Sequence, residues 1–410
     1  VSRQFWAVWT ATLINRAGGF VVIYLAVYLT AQRHFTPAVA GLTVGLYGLG
    51  GALGVTAGGQ LADRWGRRPA ALLSLTCTPL FTLALGVART PAEIMVAAAA
   101  LGVAAESARP SLSAIIADVV PPGDRLRAFS AYYWAINLGF SIAALVAGFA
   151  ARAGYFTLFA ADAATTAVAA VLIAAFVQET RPSRASGGTA LGTPAARGVL
   201  RDRLFVGVVA GNLLLALVMA QASSGLPIAM ARDGLSATTY GRVMAVNGLL
   251  IVACQLFVTR LLRGWAPART LIVSTVVVGL GFALTTFAHS ALWYAGTVAV
   301  WTLGEMFSSP SSQALSAALS PAALRGRYQG FFALSWQVAG FAGPALGGLV
   351  QQAAGSAALW FGCLGLTVAG SAWHLANAPA RMRRTLELSS APPGAFGPGK
   401  STPSAERLRR

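Results

Sequence analysis

Five ionisable side chains sit inside stretches of sequence that are otherwise apolar: Arg16, Glu106, Arg109, Asp162 and Glu305. A charge at the centre of a membrane helix costs roughly 2.5–3.5 kcal/mol on insertion scales, so such groups are kept to pair with one another, to hold a polar solute or to carry a proton. Glu305 has no basic residue within one helical turn, and a buried carboxyl without a neighbouring cation is suited to proton uptake and release. It is the first proton-coupling candidate, with Glu106 the second. Glu106 and Arg109 are spaced i, i+3 and could neutralise each other on one helix face, which would leave Arg16 without a local partner. A cross-helix pair between Arg16 and Glu106 is the open alternative. Arg16 and Arg109 are also candidates for contact with a solute, together with Asn15, Asn137, Asn212, Gln221, Ser224 and Gln337. The same amides and hydroxyls could instead join helices to one another. Trp301 could stack on a flat lipophilic solute or serve only as packing.

Other chemistries find little support. Cys77, Cys254 and Cys363 lie in apolar runs without metal or redox spacing, and there is no nucleophile triad or phosphate-cradling loop. Neither an enzyme nor a cofactor is expected. With 56% apolar and only 10% charged residues, the chain is too hydrophobic for a water-soluble domain of this length. The apolar runs are about 20 residues long, which fits membrane-spanning helices and not the shorter alternating strands of a barrel. A formal charge of +18 could suggest nucleic acid, but the basic residues sit in short loops between apolar runs, where they set orientation in a bilayer.

Windows of about 20 residues give twelve spans, at 5–31, 37–60, 69–88, 92–117, 127–151, 155–178, 204–230, 239–262, 270–288, 291–319, 328–354 and 357–378. Arginines such as Arg64, Arg67, Arg68, Arg125, Arg127, Arg181, Arg260, Arg263, Arg325 and Arg327 fall in the even-numbered loops. Both termini are therefore expected in the cytoplasm, with the protein in the cell membrane. Counted at 1.5 Å per residue from the cytoplasmic end, Arg16, Glu106, Arg109 and Glu305 lie about 16, 17, 12 and 20 Å deep, near the midplane. Asp162, toward the outer end of span 6, reads as structural.

The expected domains are a six-helix bundle at 1–178, a cytoplasmic linker at 179–203, a second bundle at 204–378 and a disordered tail at 379–410. A shift of two hundred positions superposes Gly41 on Gly241, Gly48 on Gly248, Trp65 on Trp265, Pro110 on Pro310, Arg125 on Arg325 and Gly148 on Gly348. Tryptophan, proline and arginine at one constant offset indicate a parallel repeat of six spans.

Residues 58–68, GGQLADRWGRR, form the polar turn between spans 2 and 3. Gly59 would permit close backbone approach, and Asp63 could accept from a helix N-terminus. The turn resembles the G-x-L-A-D-R-x-G-R-R loop of the major facilitator superfamily, with Gly59, Leu61, Ala62, Asp63, Arg64, Gly66, Arg67 and Arg68 in place. The resemblance implies an all-α membrane protein of twelve transmembrane helices in two pseudo-symmetric six-helix bundles, with spans 1, 4, 7 and 10 lining a central cavity. It also implies that Asp63 faces the N-terminus of span 11 and that Arg67 pairs with Asp118 as a conformational gate.

Within the superfamily the chain is most similar to the twelve-span drug:proton antiporter group. It departs from that group's G-x-x-x-G-P-x-x-G-G pattern in span 5, where Ala143 and Ala144 stand, and carries GPALGG at 343–348 in span 11 instead. The E-x-x-E-R of peptide symporters is also absent, with Thr12 and Asn15 in place of its acids before Arg16. The expected function is a proton-coupled exporter of small lipophilic molecules, working as a monomer by alternating access. An uptake symporter and a non-transporting receptor or scaffold remain the alternatives.

Overall fold

The computed structural model describes residues 2–121, 124–150, 154–180, 199–261, 265, 267–320 and 325–390, and every regular element among them is helical. The first half comprises α1 (Arg3–Ala17), α2 (Phe20–Val27) with a π-helical turn (Tyr28–Gln32), α3 (Pro37–Trp65), α4 (Arg67–Val87), α5 (Pro91–Val119), α6 (Arg125–Ala150) and α7 (Tyr155–Phe176). The second comprises α8 (Arg203–Met219), α9 (Gly225–Arg232), α10 (Ala237–Leu261), α11 (Pro267–Leu284), α12 (Ala291–Ala318), α13 (Arg325–Ala376) and α14 (Ala378–Ser390). Nine helices among the described residues are long and apolar enough to cross a membrane. One of these, α13, holds two crossings, because Gly355 adopts a φ of 83° at the boundary expected between spans 11 and 12.

Local sequence explains where the helices start. Thr36 and Thr90 each precede a proline at the first helical position and accept from the backbone N–H three residues on; Thr90 and Glu93 form a reciprocal capping box. Asp202 does the same for α8 through the N–H of Phe205, 3.2 Å away.

Two crossings expected to be continuous are broken. The first is interrupted at Gly18 and Gly19, between α1 and α2. The seventh is interrupted between α8 and α9, by a 3₁₀ turn (Ala220–Ala222) followed by Ser223 and Ser224, three residues before Pro227. Proline removes a donor and favours the first turn of a new helix, which accounts for the second break. The first break lies against α7, where a Cβ at Gly18 would come within 1.8 Å of Thr165 Oγ1.

The tail expected to be disordered from residue 379 is corrected in part. Residues 378–390 form α14, since Ala, Arg, Met, Leu and Glu favour helix and the run of prolines and glycines begins only at Pro392. Arg384 Nη2 also donates to Asp202 Oδ2 at 2.8 Å, tying α14 to the start of the second half. Residues 391–410 and most of the expected linker, 181–198, lie outside the described residues.

The repeat read from the numbering recurs in space. A Cβ on Gly41 of α3 would stand 2.2 Å from the carbonyl oxygen of Pro344 on α13, and one on Gly241 of α10 would stand 2.2 Å from the carbonyl oxygen of Ala144 on α6. Each pair becomes the other under the two-hundred offset. Gly48 against Gly340 and Gly248 against Ser141 continue the contact about two turns further along α3 and α10. Helix backbones thus touch across the two halves at the end of the molecule away from the chain termini. Tyr24 adds to this seam, its hydroxyl 3.2 Å from the carbonyl of Ala144 and 3.0 Å from that of Ala237.

Candidate functional site

Small residues bring α1, α3, α5 and α7 close enough for three sequence-predicted charges to meet. Arg16 Nη2 lies 3.9 Å from Glu106 Oε1, and Arg109 Nη1 lies 3.5 Å from Glu106 Oε2. The cross-helix pair and the local i, i+3 pair therefore coexist, with one carboxylate shared by two guanidiniums. Gly51 of α3 makes room for it, since a Cβ there would meet the Glu106 side chain at 3.1 Å.

Asp162, in the first part of α7, is buried in the wall of the same region, and its Oδ2 accepts from the N–H of Val21 at 3.1 Å, capping α2 where the first crossing is broken. Its structural reading gains a specific content: the carboxylate serves the first donors of a half-helix inside the bundle. One turn further along α7, Thr166 accepts from Asn15 Nδ2 at 2.9 Å. Asp162→Ala should lower the thermal unfolding midpoint of the purified protein, since a lost N-cap costs about 1 kcal/mol. Asp162→Asn, which keeps an acceptor oxygen, should recover most of the loss; an unchanged midpoint in the alanine variant would remove the capping role.

Glu305 lies on α12 in the second half and accepts from Asn247 Nδ2 of α10 at 2.8 Å. The same amide reaches Thr302 Oγ1 at 3.0 Å. Among the described residues no guanidinium pairs with Glu305, in contrast to Glu106. Asn247 was not singled out by the sequence, because a lone Asn on an apolar helix carries no sign of which neighbour it will meet. It stands at the two-hundred offset from Tyr47, and Glu305 one position from the offset partner of Glu106, so the two halves place a carboxyl at nearly equivalent positions.

The other solute-contact candidates divide into two groups. Asn212 donates to Ser335 Oγ at 2.7 Å, Gln221 donates to the Gly343 carbonyl at 2.8 Å, and Ser224 lies 3.2 Å from the Ala220 carbonyl, all buried. Asn212 and Gln221 hold the broken seventh crossing to α13, and Ser224 bonds within the break itself. Trp301 is buried and stacked on Phe282 at 5.4 Å, which makes it packing within the second half. Asn137 and Gln337, by contrast, are only half-buried, on α6 and α13.

In the loop between α3 and α4, Gly66 adopts a φ of 114°, a conformation that favours glycine. Arg67 makes an ion pair with Asp118 and donates to the Ala114 carbonyl at 3.1 Å. Arg68 Nη2 donates to the Ala174 carbonyl at 2.7 Å. Glu179, which the sequence placed only in a linker, accepts from the N–H groups of Arg67 and Arg68 at 2.9 and 3.1 Å and so caps α4. An acid just past the sixth span was the available signal. The close approach expected at Gly59 belongs to its neighbour: a Cβ on Gly58 would meet the Ser107 carbonyl oxygen at 2.2 Å, whereas at Gly59 nothing lies nearer than 4.0 Å. Asp63 and Arg64 are exposed, and residues 321–324, at the entry to α13 where Asp63 was expected to face, lie outside the described residues.

Comparisons with known proteins agree with this architecture. The family model for the Major Facilitator Superfamily matches residues 8–344. The multidrug resistance protein MdtH of Escherichia coli O9:H4 (strain HS) is 25% identical over 346 residues, covering 80% of this chain and 82% of that protein. A Na(+), Li(+), K(+)/H(+) antiporter of Planococcus maritimus is 24% identical over 347 residues, covering 77% of this chain and 81% of that protein. Among solved structures, a POT family transporter in complex with a thioalcohol-conjugated peptide superposes with a TM-score of 0.78 at 15% identity, covering 92% of this chain and 96% of that one, a likeness of fold.

Proposed function

The chain belongs to the Major Facilitator Superfamily and is an integral multi-pass membrane protein, and on that basis we propose that it exports small lipophilic molecules in exchange for protons. The observation that carries this reading is Glu305, a carboxyl within a membrane helix whose polar partner is an amide and not a cation. Such a group can lose and regain a proton without breaking an ion pair, whereas Glu106 would leave two guanidiniums uncompensated. The multidrug resistance protein and the cation/proton antiporter among the relatives support exchange and a drug-like solute.

Solute passes between the two bundles, past Asn137 and Gln337 on α6 and α13. The basic loops support an orientation with both termini in the cytoplasm, in which the glycine seam lies at the outer end and the bundles part toward the cytoplasm. Arg67 and Asp118 then fix α4 against α5 at the cytoplasmic end.

The test is transport of a fluorescent lipophilic cation by the purified protein in liposomes with an imposed pH gradient. Solute and protons should move in opposite directions. Movement in the same direction would replace export with proton-linked uptake, and no movement of either would leave a receptor or scaffold.

A further inference from the structure

Phe361, Val368 and Leu375, on the second crossing of α13, are each half or more exposed and recur every seven residues, which keeps them on one side of the helix. In an integral membrane protein an exposed apolar side of this kind meets lipid. The same interval leads onto α14 at Met382, and Leu386 follows one turn later; both are more than half exposed. Helical hydrogen bonds carry the chain across the junction, from the N–H of Asn377 to the Trp373 carbonyl and from the N–H of Arg381 to the Asn377 carbonyl, each at 3.1 Å. The lipid-facing stripe of the last crossing thus continues onto α14.

The other side of α14 is fixed to the protein. Arg381 is buried, with Nη1 2.9 Å from His374 Nδ1 and Nη2 donating to the His374 carbonyl, and Arg384 reaches Asp202. That last tie gathers the sequence neighbours of both partners. Arg201 and Arg203 flank Asp202, Arg383 adjoins Arg384, and these three guanidiniums are exposed with no carboxylate partner among the described residues. Over residues 201–203 and α14 together, five arginines stand against the two acids Asp202 and Glu387, which leaves three positive charges. Leu200, exposed beside Arg201, adds a further apolar side chain.

We propose that α14 lies in the membrane interface and that Arg201, Arg203 and Arg383 bind the headgroup of an anionic phospholipid, whose acyl chains receive Met382 and Leu386. A helix with apolar side chains on one side and arginines beside them rests at the boundary between headgroups and acyl chains. Guanidinium and phosphate match at two points, and the headgroup neutralises charges that Asp202 and Glu387 leave uncompensated. A second copy of the chain would cover Met382 and Leu386 equally well, but a two-fold contact would set the three unpaired guanidiniums against the same three. Lipid binding here is independent of what the protein carries.

The test places a fluorophore on Met382→Cys, in the full chain without Cys77, Cys254 and Cys363, reconstituted in nanodiscs. Phosphatidylglycerol or phosphatidylcholine with brominated acyl chains is then added at equal mole fraction, and quenching reads how much of each lies beside the label. Both lipids should quench. One basic residue near the surface is worth about fivefold in favour of anionic lipid, so phosphatidylglycerol should be enriched at least that much. Arg201→Gln, Arg203→Gln and Arg383→Gln together should abolish the enrichment, and so should high salt. Arg383→Gln alone, at an exposed position, should lower it severalfold and decides the matter where the triple variant fails to fold. Quenching by neither lipid, with the introduced cysteine cross-linking two chains, would give this face to a second copy. Equal quenching by the two lipids, or enrichment indifferent to the arginine variants, would remove the headgroup site. Enrichment abolished by millimolar glycerol phosphate would reassign the arginines to a soluble phosphate compound.

Discussion

Glu305→Gln is expected to eliminate accumulation of solute driven by a pH gradient while leaving solute exchange in place. Glutamine matches the size of glutamate, and its amide oxygen can still accept from Asn247, so the contact between α12 and α10 survives. What is lost is the exchangeable proton. One pH unit is worth about 1.36 kcal/mol, so a carrier exchanging one proton per solute can sustain roughly tenfold accumulation for each unit of gradient. The variant should sustain none. Counterflow of labelled against unlabelled solute, which needs alternating access but no net proton movement, should continue. Accumulation equal to that of the parent protein would remove Glu305 from the coupling step. Glu106→Gln is a poorer test of coupling, since it strips the counter-charge from both Arg16 and Arg109 and confounds proton transfer with damage to the site.

Gly241→Ala should reduce transport by an order of magnitude or more by preventing closure of the seam. The added methyl would lie 2.2 Å from the Ala144 carbonyl oxygen and 1.9 Å from the Tyr24 hydroxyl. Tyr24 can rotate, but the Ala144 oxygen belongs to the backbone of α6, so the helices themselves must separate. Gly41→Ala acts on the symmetry-related contact with Pro344, and the two changes together should exceed either alone. A single cysteine introduced at Ala38, in a background without Cys77, Cys254 and Cys363, would report the change as faster labelling by a membrane-impermeant thiol reagent. Gly296→Ala is the control, because no atom lies within 4 Å of a Cβ at that position. Equal labelling rates in the parent and in Gly241→Ala would show that the seam does not depend on backbone contact there.

Much of this architecture could be read from the chain because its signals are repetitive. Apolar runs of bilayer length located the crossings, and the two-hundred offset anticipated which residues would be equivalent across the halves, down to Gly41 and Gly241. The breaks at Gly18–Gly19 and before Pro227 were harder, since a glycine pair or a proline in an apolar run is as compatible with close packing as with an interruption. The roles of Asp162 and Glu179 were hidden for a common reason: each caps a helix far away in sequence, Asp162 serving Val21 and Glu179 serving Arg67 and Arg68. Residue type likewise could not separate Asn212 and Gln221, which hold helices together, from Asn137 and Gln337, which stay half-buried. That difference depends on which way a helix is turned, and an evenly apolar helix gives little indication of its rotation.

The tie between Arg384 and Asp202 bears on how the molecule is handled at the bench. Asp202 caps α8 and also accepts the Tyr328 hydroxyl at 2.9 Å, so its carboxylate joins the entrance of the second bundle, the start of α13 and the final helix. Trimming the C-terminus ahead of Arg384, a common way to improve crystals, would strip the guanidinium from that junction and loosen three elements at once. Purification handles and fluorescent fusions therefore belong after Ser390, where they leave the junction intact.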